Sequence, residues 1–175
     1  MKFLFFIGAF LISQAVFSQT DSIKLALSFE TKIYGIKYPE EWLLDTSKSF
    51  NSDFFVFAPL EKGDDTFREN ISLMIQNLKG YNVNLDQYVQ VSEKQVNTLL
   101  TDAIIFSSER VNSSGIANHK IVYTMTQGVF KLKLVQYYYI KDEHAYVITF
   151  TSEVSRFEQY IYLAQKIMNS FSLKN

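Results

Sequence analysis

The side chains able to do chemistry are few, and their spacing is unhelpful to most reactions. His119 and His144 are the only histidines. Each opens a strand-like segment, and one further strand should separate them. Neighbouring strands lie about 4.8 Å apart, which puts the two imidazoles on the order of 10 Å from each other. One Zn²⁺ with bonds of about 2.1 Å cannot bridge that gap. There is no H-E-x-x-H pair and no third ligand, so no metal centre is expected. A serine hydrolase has no G-x-S-x-G elbow to use, and Ser113-Ser114-Gly115 reads as loop chemistry. A triad could still assemble across the fold if His119 or His144 met a serine and a carboxylate there. Cysteine is absent, which removes thiolate nucleophiles, thiolate metal sites, disulfides and lipid attachment through an N-terminal cysteine. The six glycines are scattered and form no phosphate-binding loop. No cofactor is expected.

Three clusters remain as candidate surfaces. The segment Tyr38-Pro39-Glu40-Glu41-Trp42 holds the only tryptophan. Trp42 could flank a ligand groove, or it could plug the end of a sheet behind a proline turn, the commoner use of a large aromatic. The stretch Glu61–Glu69 is rich in acids, with Asp64 and Asp65 at its centre. Ca²⁺ needs six to eight converging oxygens. EF-hand spacing is missing, and Lys62 and Arg68 supply internal counter-charge, so a solvated loop is predicted. Tyr137-Tyr138-Tyr139 could line a pocket or a partner surface, or pack beneath helices. Tyr38, Trp42, Asp64, Asp65, Tyr137 and Tyr139 are therefore the candidate residues for a partner or ligand surface.

The elements that must position these groups follow from periodicity. Lys24–Phe29 and Ile33–Tyr38 read as strands, the second stopped by Pro39. Phe54–Ala58 is a short apolar run suited to a strand buried on both faces. Asn70–Leu78 alternates in the manner of a fourth strand. Asn84 and Gln87 have capping-box spacing, and Leu85, Tyr88, Val89, Val96, Leu99 and Leu100 fall on one helical face with Ser92 at a gap. Four strand-like segments follow: Ala103–Arg110, His119–Gln127, Phe130–Lys141 and Ala145–Ser152. Their short links favour antiparallel hairpins. Phe130–Ile140 is apolar on both sides in its second half, which places it centrally in a sheet. The last helix has Ser155 and Glu158 at capping-box spacing and an apolar stripe of Phe157, Tyr160, Ile161, Ala164, Ile167, Met168 and Phe171.

Four strands, a helix, four strands and a helix resemble the PsbP-like superfamily, which also contains the bacterial DcrB proteins and a Ran-binding nuclear import factor. The likeness spans about Tyr34 to Leu173. It is carried by Tyr34-Gly35-Ile36-Lys37-Tyr38-Pro39-Glu40-Glu41-Trp42, by Phe67–Leu73, by the Gln136–Phe150 hairpin, and by the closing helix ending Met168-Asn169-Ser170-Phe171. The resemblance implies an α+β fold: a central antiparallel sheet of about six to eight strands with two main helices on its faces, an α/β/α sandwich. It also implies a binding or assembly role, because relatives act by docking on partners.

The N-terminus sets the compartment. Lys2 precedes ten uncharged residues, Phe3–Ile12, before Ser13 and Gln14 interrupt the run. A membrane span needs roughly 20 apolar residues. The shorter run is that of a cleavable signal peptide, residues 1–18, with cleavage after Ser18. Residues 19–32 then form a lead and first strand, and 33–175 the single PsbP-like domain. Cleavage takes only Lys2 among the charges and moves the formal charge from −1 to −2. No basic cluster exists to release counterions from a polyanion, so nucleic acid is excluded as a partner. The expectation is a periplasmic or secreted protein, not a lipoprotein, with no transmembrane segment in its mature chain. Its expected role is a non-catalytic binding or assembly domain whose partner is a protein of the envelope or exterior. Carriage of a small apolar ligand, or hydrolysis without a recognisable motif, are the alternatives.

Overall fold

Among the described residues ten strands hydrogen-bond into two sheets, the longer of them marked by alternating apolar and polar side chains. The structure is a computed structural model that describes residues 24–61, 63, 65–113 and 116–174. The expected signal peptide, Asp64 and the Ser114-Gly115 turn lie outside the described residues. The strands are β1 (Leu27–Glu30), β2 (Tyr34–Tyr38), β3 (Leu43–Asp45), β4 (Phe54–Phe57), β5 (Asn70–Asn77), β6 (Thr101–Ser113), β7 (Ile116–Gln127), β8 (Phe130–Lys141), β9 (His144–Glu153) and β10 (Ser172–Leu173). The helices are α1 (Leu85–Leu99) and α2 (Phe157–Asn169), with a 3₁₀ turn at Ser49–Asn51. Among the described residues no helix is long and apolar enough to cross a membrane.

Seven strands form one sheet in the order β3-β4-β5-β9-β8-β7-β6, antiparallel throughout. β8 and β9 lie inside it. One face of this pair carries Val135, Tyr137, Tyr139, Tyr146, Ile148 and Phe150, and α2 covers it through Phe157, Ala164, Ile167 and Met168. The other face carries Leu132, Leu134, Tyr138 and Val147, and α1 covers it through Leu85, Val89 and Val96. The α/β/α layering and the α+β class are as expected. The second sheet, β1-β2-β10, was not anticipated. It leaves the main sheet because β2 pairs with β1 on one edge and with the C-terminal β10 on the other. Tyr34 and Ile36 of β2 enter the same core as α2. β3 and β10 are three and two residues long, too short for a periodicity to register.

Two local expectations meet different outcomes. Asn84 caps α1 as the spacing predicts: its Oδ1 accepts from the Gln87 N–H at 3.0 Å, and Gln87 Oε1 accepts from the Asn84 N–H at 3.0 Å. Ser155 does not cap α2. The helix begins after Arg156, whose backbone is helical and whose side chain makes no capping bond. The turn out of β9 already supplies the orphan groups: the Arg156 N–H donates to the Glu153 carbonyl, and the Gln159 N–H to that of Arg156. A side-chain cap needs an extended residue at that point, and the turn leaves none.

The acidic segment is also tied down where a solvated loop is expected. Arg156, delivered by the start of α2, lies 2.8 Å from Glu61 and 3.5 Å from Asp65. Glu61 further accepts from the Gln159 amide at 2.7 Å and the Tyr160 hydroxyl at 2.9 Å. Lys62 is outside the described residues, and Arg68 is spent elsewhere, over the Phe57 ring. Glu69 is buried beside Ser152 and the Glu153 N–H, and burial raises its pKa.

Two measurements test this packing. Phe171 contacts the rings of Tyr34 and Tyr139 with centroids 5.9 and 5.6 Å away, pinning the C-terminus between the sheets. Phe171→Ala should lower the unfolding free energy by about 3–5 kcal/mol in urea titration. Glu69→Gln should stabilise the protein at neutral pH. The folded carboxyl binds its proton more readily than the unfolded one, so stability falls as pH rises from 4.5 through the folded value. The variant's advantage should shrink at pH below that window, read by thermal melting.

Candidate binding groove

The six candidate residues do not converge. Tyr38 and Trp42 are buried, with Trp42 edge-on to Tyr160 of α2 at 6.3 Å. Tyr137 and Tyr139 lie under α2 on the covered face of β8. These four rings are packing groups: strand alternation turns Tyr38, Tyr137 and Tyr139 inward, and Trp42 packs from the turn between β2 and β3. Asp65, whose side chain is only 3% exposed, accepts from the N–H groups of Glu61 and Phe67 at 2.9 and 3.2 Å and faces Arg156. It organises its own loop. Asp64 lies outside the described residues.

The histidines stand on β7 and β9 with β8 between them, as the spacing predicts. His119 Nε2 is 2.7 Å from Ser108 Oγ, and its buried Nδ1 has no hydrogen-bond partner. Asp86, Glu93 and Glu109 act on the ring only through their fields, and Asp86 is paired with Arg110. A triad base needs its second nitrogen held by a carboxylate. Among the described residues that third member is missing from this pair. His144 Nδ1 sits 2.6 Å from the Asp142 carbonyl, with no serine on its ring in that bond. Burial, then the charge of Arg110, lowers the His119 pKa from 6.5.

A concave site does exist, where the sequence did not point. α1 spans the β6–β8 side of the sheet and stops short of β5. Two adjoining lobes of about 270 Å³ each open between α1 and β5. The inner lobe is floored by Met74, Tyr123, Gln136, Tyr138 and Val147. The outer lobe is rimmed by Leu78, Tyr81, Val83 and Val91. Gln76, Tyr88, Ser92 and Gln95 line both. The Tyr88 hydroxyl donates to Gln76 Oε1 at 2.8 Å, a bridge from helix to strand at the shared boundary. Ser92 donates to the Tyr88 carbonyl at 2.9 Å, and the Gln136 amide to Thr149 at 3.1 Å. The Tyr138 hydroxyl donates to Gln136 Oε1. Burial raises the pKa of Tyr88 and Tyr138 and pushes Tyr123 up to about 12, so all three phenols are neutral donors.

Among the described residues no charged side chain lines either lobe. The groove owes its shape to polar residues on the inner side of α1. Ser92 and Gln95 break the apolar stripe that Val89 and Val96 continue, so the helix cannot close on the sheet there. Leu99, expected on the buried face, is 72% exposed at the groove's end. Those two interruptions in the stripe were the signal available in the sequence. The middle tyrosine of the Tyr137–Tyr139 run is the one that reaches the groove.

No protein-family model matches this sequence, and no curated protein matches it. Solved structures do. The chain superposes on the solution structure of the cyanobacterial PsbP protein CyanoP from Synechocystis sp. PCC 6803 with a TM-score of 0.65 and 14% identity, over 85% of this chain and 92% of that one. It superposes on LpqN of Mycobacterium tuberculosis, described as involved in cell envelope biogenesis, with a TM-score of 0.63 and 9% identity, over 81% and 83%. A protein of unknown function from Pseudomonas aeruginosa matches with a TM-score of 0.62 and 11% identity, over 85% and 97%. The fold is therefore PsbP-like, as the sequence resemblance implied.

The lowered His119 pKa has a testable consequence. The unfolded chain takes up a proton near pH 6.5, before the folded one does, so this residue's contribution to stability is present above that pH and is lost as pH falls towards the folded value. His119→Gln should flatten the fall in urea midpoint between about pH 7.5 and 5.5. An unchanged slope would show that the imidazole is solvated.

Proposed function

We propose that this protein is an exported, non-catalytic binding domain that holds an uncharged segment of an envelope or secreted protein in the groove between α1 and β5. One observation carries the reading: the groove's lining is free of charge in a chain in which 20% of residues are charged. A concave site lined by apolar side chains and a few placed hydroxyls and amides is the usual form of a binding site. Phosphate or carboxylate ligands would need cations that this lining lacks. The missing third member at His119, the backbone-bound His144 and the absence of cysteine all support a role without covalent chemistry. The apolar run Phe3–Ile12 supports export, and LpqN's link to the cell envelope agrees with that compartment.

Carriage of a small apolar ligand is the second reading, favoured by the aromatic walls. Ligand pockets span about 300–1,000 Å³ and bury most of their guest. Each lobe falls below that range, and the Tyr88–Gln76 bridge stands at their boundary. A segment laid across both lobes suits the shape better.

Photo-cross-linking in the producing cell tests the proposal. A benzophenone amino acid at Gln95 or Tyr81 should yield a discrete adduct. The same group at Tyr162, exposed on α2 away from the groove, should not. Gln95→Glu, which places a charge in the neutral lining, should lower adduct formation from Tyr81 by about tenfold or more. Equal adducts from Tyr162, or none from the groove, would overturn it.

A further inference from the structure

Four hydroxyl-bearing side chains line the inner lobe: Tyr88, Ser92, Tyr123 and Tyr138. Three have spent their donors inside the fold. Tyr88 donates to Gln76, Ser92 to the Tyr88 carbonyl, and Tyr138 to Gln136. The fourth has not. Tyr123 is only 4% exposed, and among the described residues its hydroxyl has no hydrogen-bond partner.

The sheet explains why. Tyr123 lies on β7 between Ile105 of β6 and Leu134 of β8, and its same-face neighbours along the strand are Ile121 and Met125. α1 lays Val89 and Val96 over the same cluster. None of these side chains offers an oxygen or a nitrogen. Burial is what acts on the phenol, and it pushes the pKa up to about 12, so the group stays a neutral O–H. A donor taken out of water and left unpaired costs stability, and in folded proteins the great majority of buried polar atoms are paired. Phenylalanine would fill the same space without that cost. The hydroxyl therefore calls for an acceptor from outside the chain.

We infer that the inner lobe is a pocket for one asparagine or glutamine side chain of the bound segment, its carbonyl oxygen accepting from Tyr123. This rests on the groove reading of the proposed function and names what the groove selects. Three features choose a primary amide. Among the described residues the lobe has no charged side chain to balance a guest carboxylate or ammonium. Its walls of Met74, Val96, Leu99, Leu100 and Val147 suit the methylenes of a stem. Gln95 also lines it, and among the described residues its side-chain amide is uncommitted, so its oxygen can take the guest N–H. A purely apolar guest would leave Tyr123 unpaired. The Tyr88–Gln76 bridge stands between this floor and the outer lobe, so a side chain reaches Tyr123 and the main chain that carries it does not.

Stability and binding should move in opposite directions. In the free protein Tyr123→Phe removes the unpaired donor and should raise the melting temperature by about 2–4 °C. Tyr138→Phe, which breaks the bond to Gln136, should lower it. The binding probe is N-acetylglutamine methylamide, titrated into the purified protein and followed by NMR. It should shift the resonances of Tyr123 and Gln95, while the leucine and glutamate counterparts of the probe leave them in place. Tyr123→Phe should weaken the glutamine probe about tenfold. A melting temperature of Tyr123→Phe that is unchanged or lowered would show that the hydroxyl already has its partner and would overturn the inference. Equal shifts from the leucine probe, or none from the glutamine probe, would overturn it too. Cross-linked adducts from Tyr81 that persist undiminished in Tyr123→Phe would keep the groove and remove its amide pocket, so the two can fail separately.

Discussion

The two-sided burial of β8 and β9 is the constraint on which the remaining architecture depends. Tyr137, Tyr139, Tyr146, Ile148 and Phe150 face one way, and Leu132, Leu134, Tyr138 and Val147 the other. A strand pair that is apolar on both sides cannot be left open to water on either. Each face must acquire a cover, and the chain supplies one after each run of strands: α1 after β5, and α2 after β9. The small sheet is recruited to the α2 side, where Tyr34, Phe54 and Phe171 meet in one aromatic cluster.

Those covers differ in width, and the difference creates the surfaces of interest. A helix is about 10 Å across and strands lie about 4.8 Å apart, so one helix shields two or three strands. On the α2 side the small sheet widens the cover. On the other side α1 stands alone over β6–β8, and the sheet continues past it through β9, β5, β4 and β3. Next to the helix the opening is a neutral groove. At the far edge it leaves Phe55 and Phe57 half-buried and Phe50 exposed. Both are consequences of covering a seven-stranded face with a single helix.

The ionic groups serve a different purpose. Arg156, Glu61 and Asp65 lock the loop before β5 to the start of α2, and Asp86 with Arg110 joins α1 to β6. Charge therefore sits where elements are fastened and is absent where the groove lies. The exposed pair of Asp86 and Arg110 contributes little to stability by itself.

The sequence by itself determined the periodic elements. β5, β7, β8, β9 and α1 are long enough for alternation or a 3.6-residue stripe to show, and Asn84 with Gln87 marked the start of α1 correctly. The central place of β8 was legible too, because being apolar on both sides is a property of the strand itself. What tertiary structure alone decided was partnership. β3 and β10 exist only because β4 and β2 offer them an edge. Ser155 lost its capping role to a turn whose bonds come from β9. Tyr137 and Tyr139 drew notice as a possible surface and proved to be core, while Tyr138 between them reached the groove. Gln76, Ser92 and Gln95 had no visible relation until α1 was laid beside β5. Periodicity is a local property of consecutive residues. Which faces are covered depends on distant segments meeting, and this protein's open face is set by where one helix ends and the sheet does not.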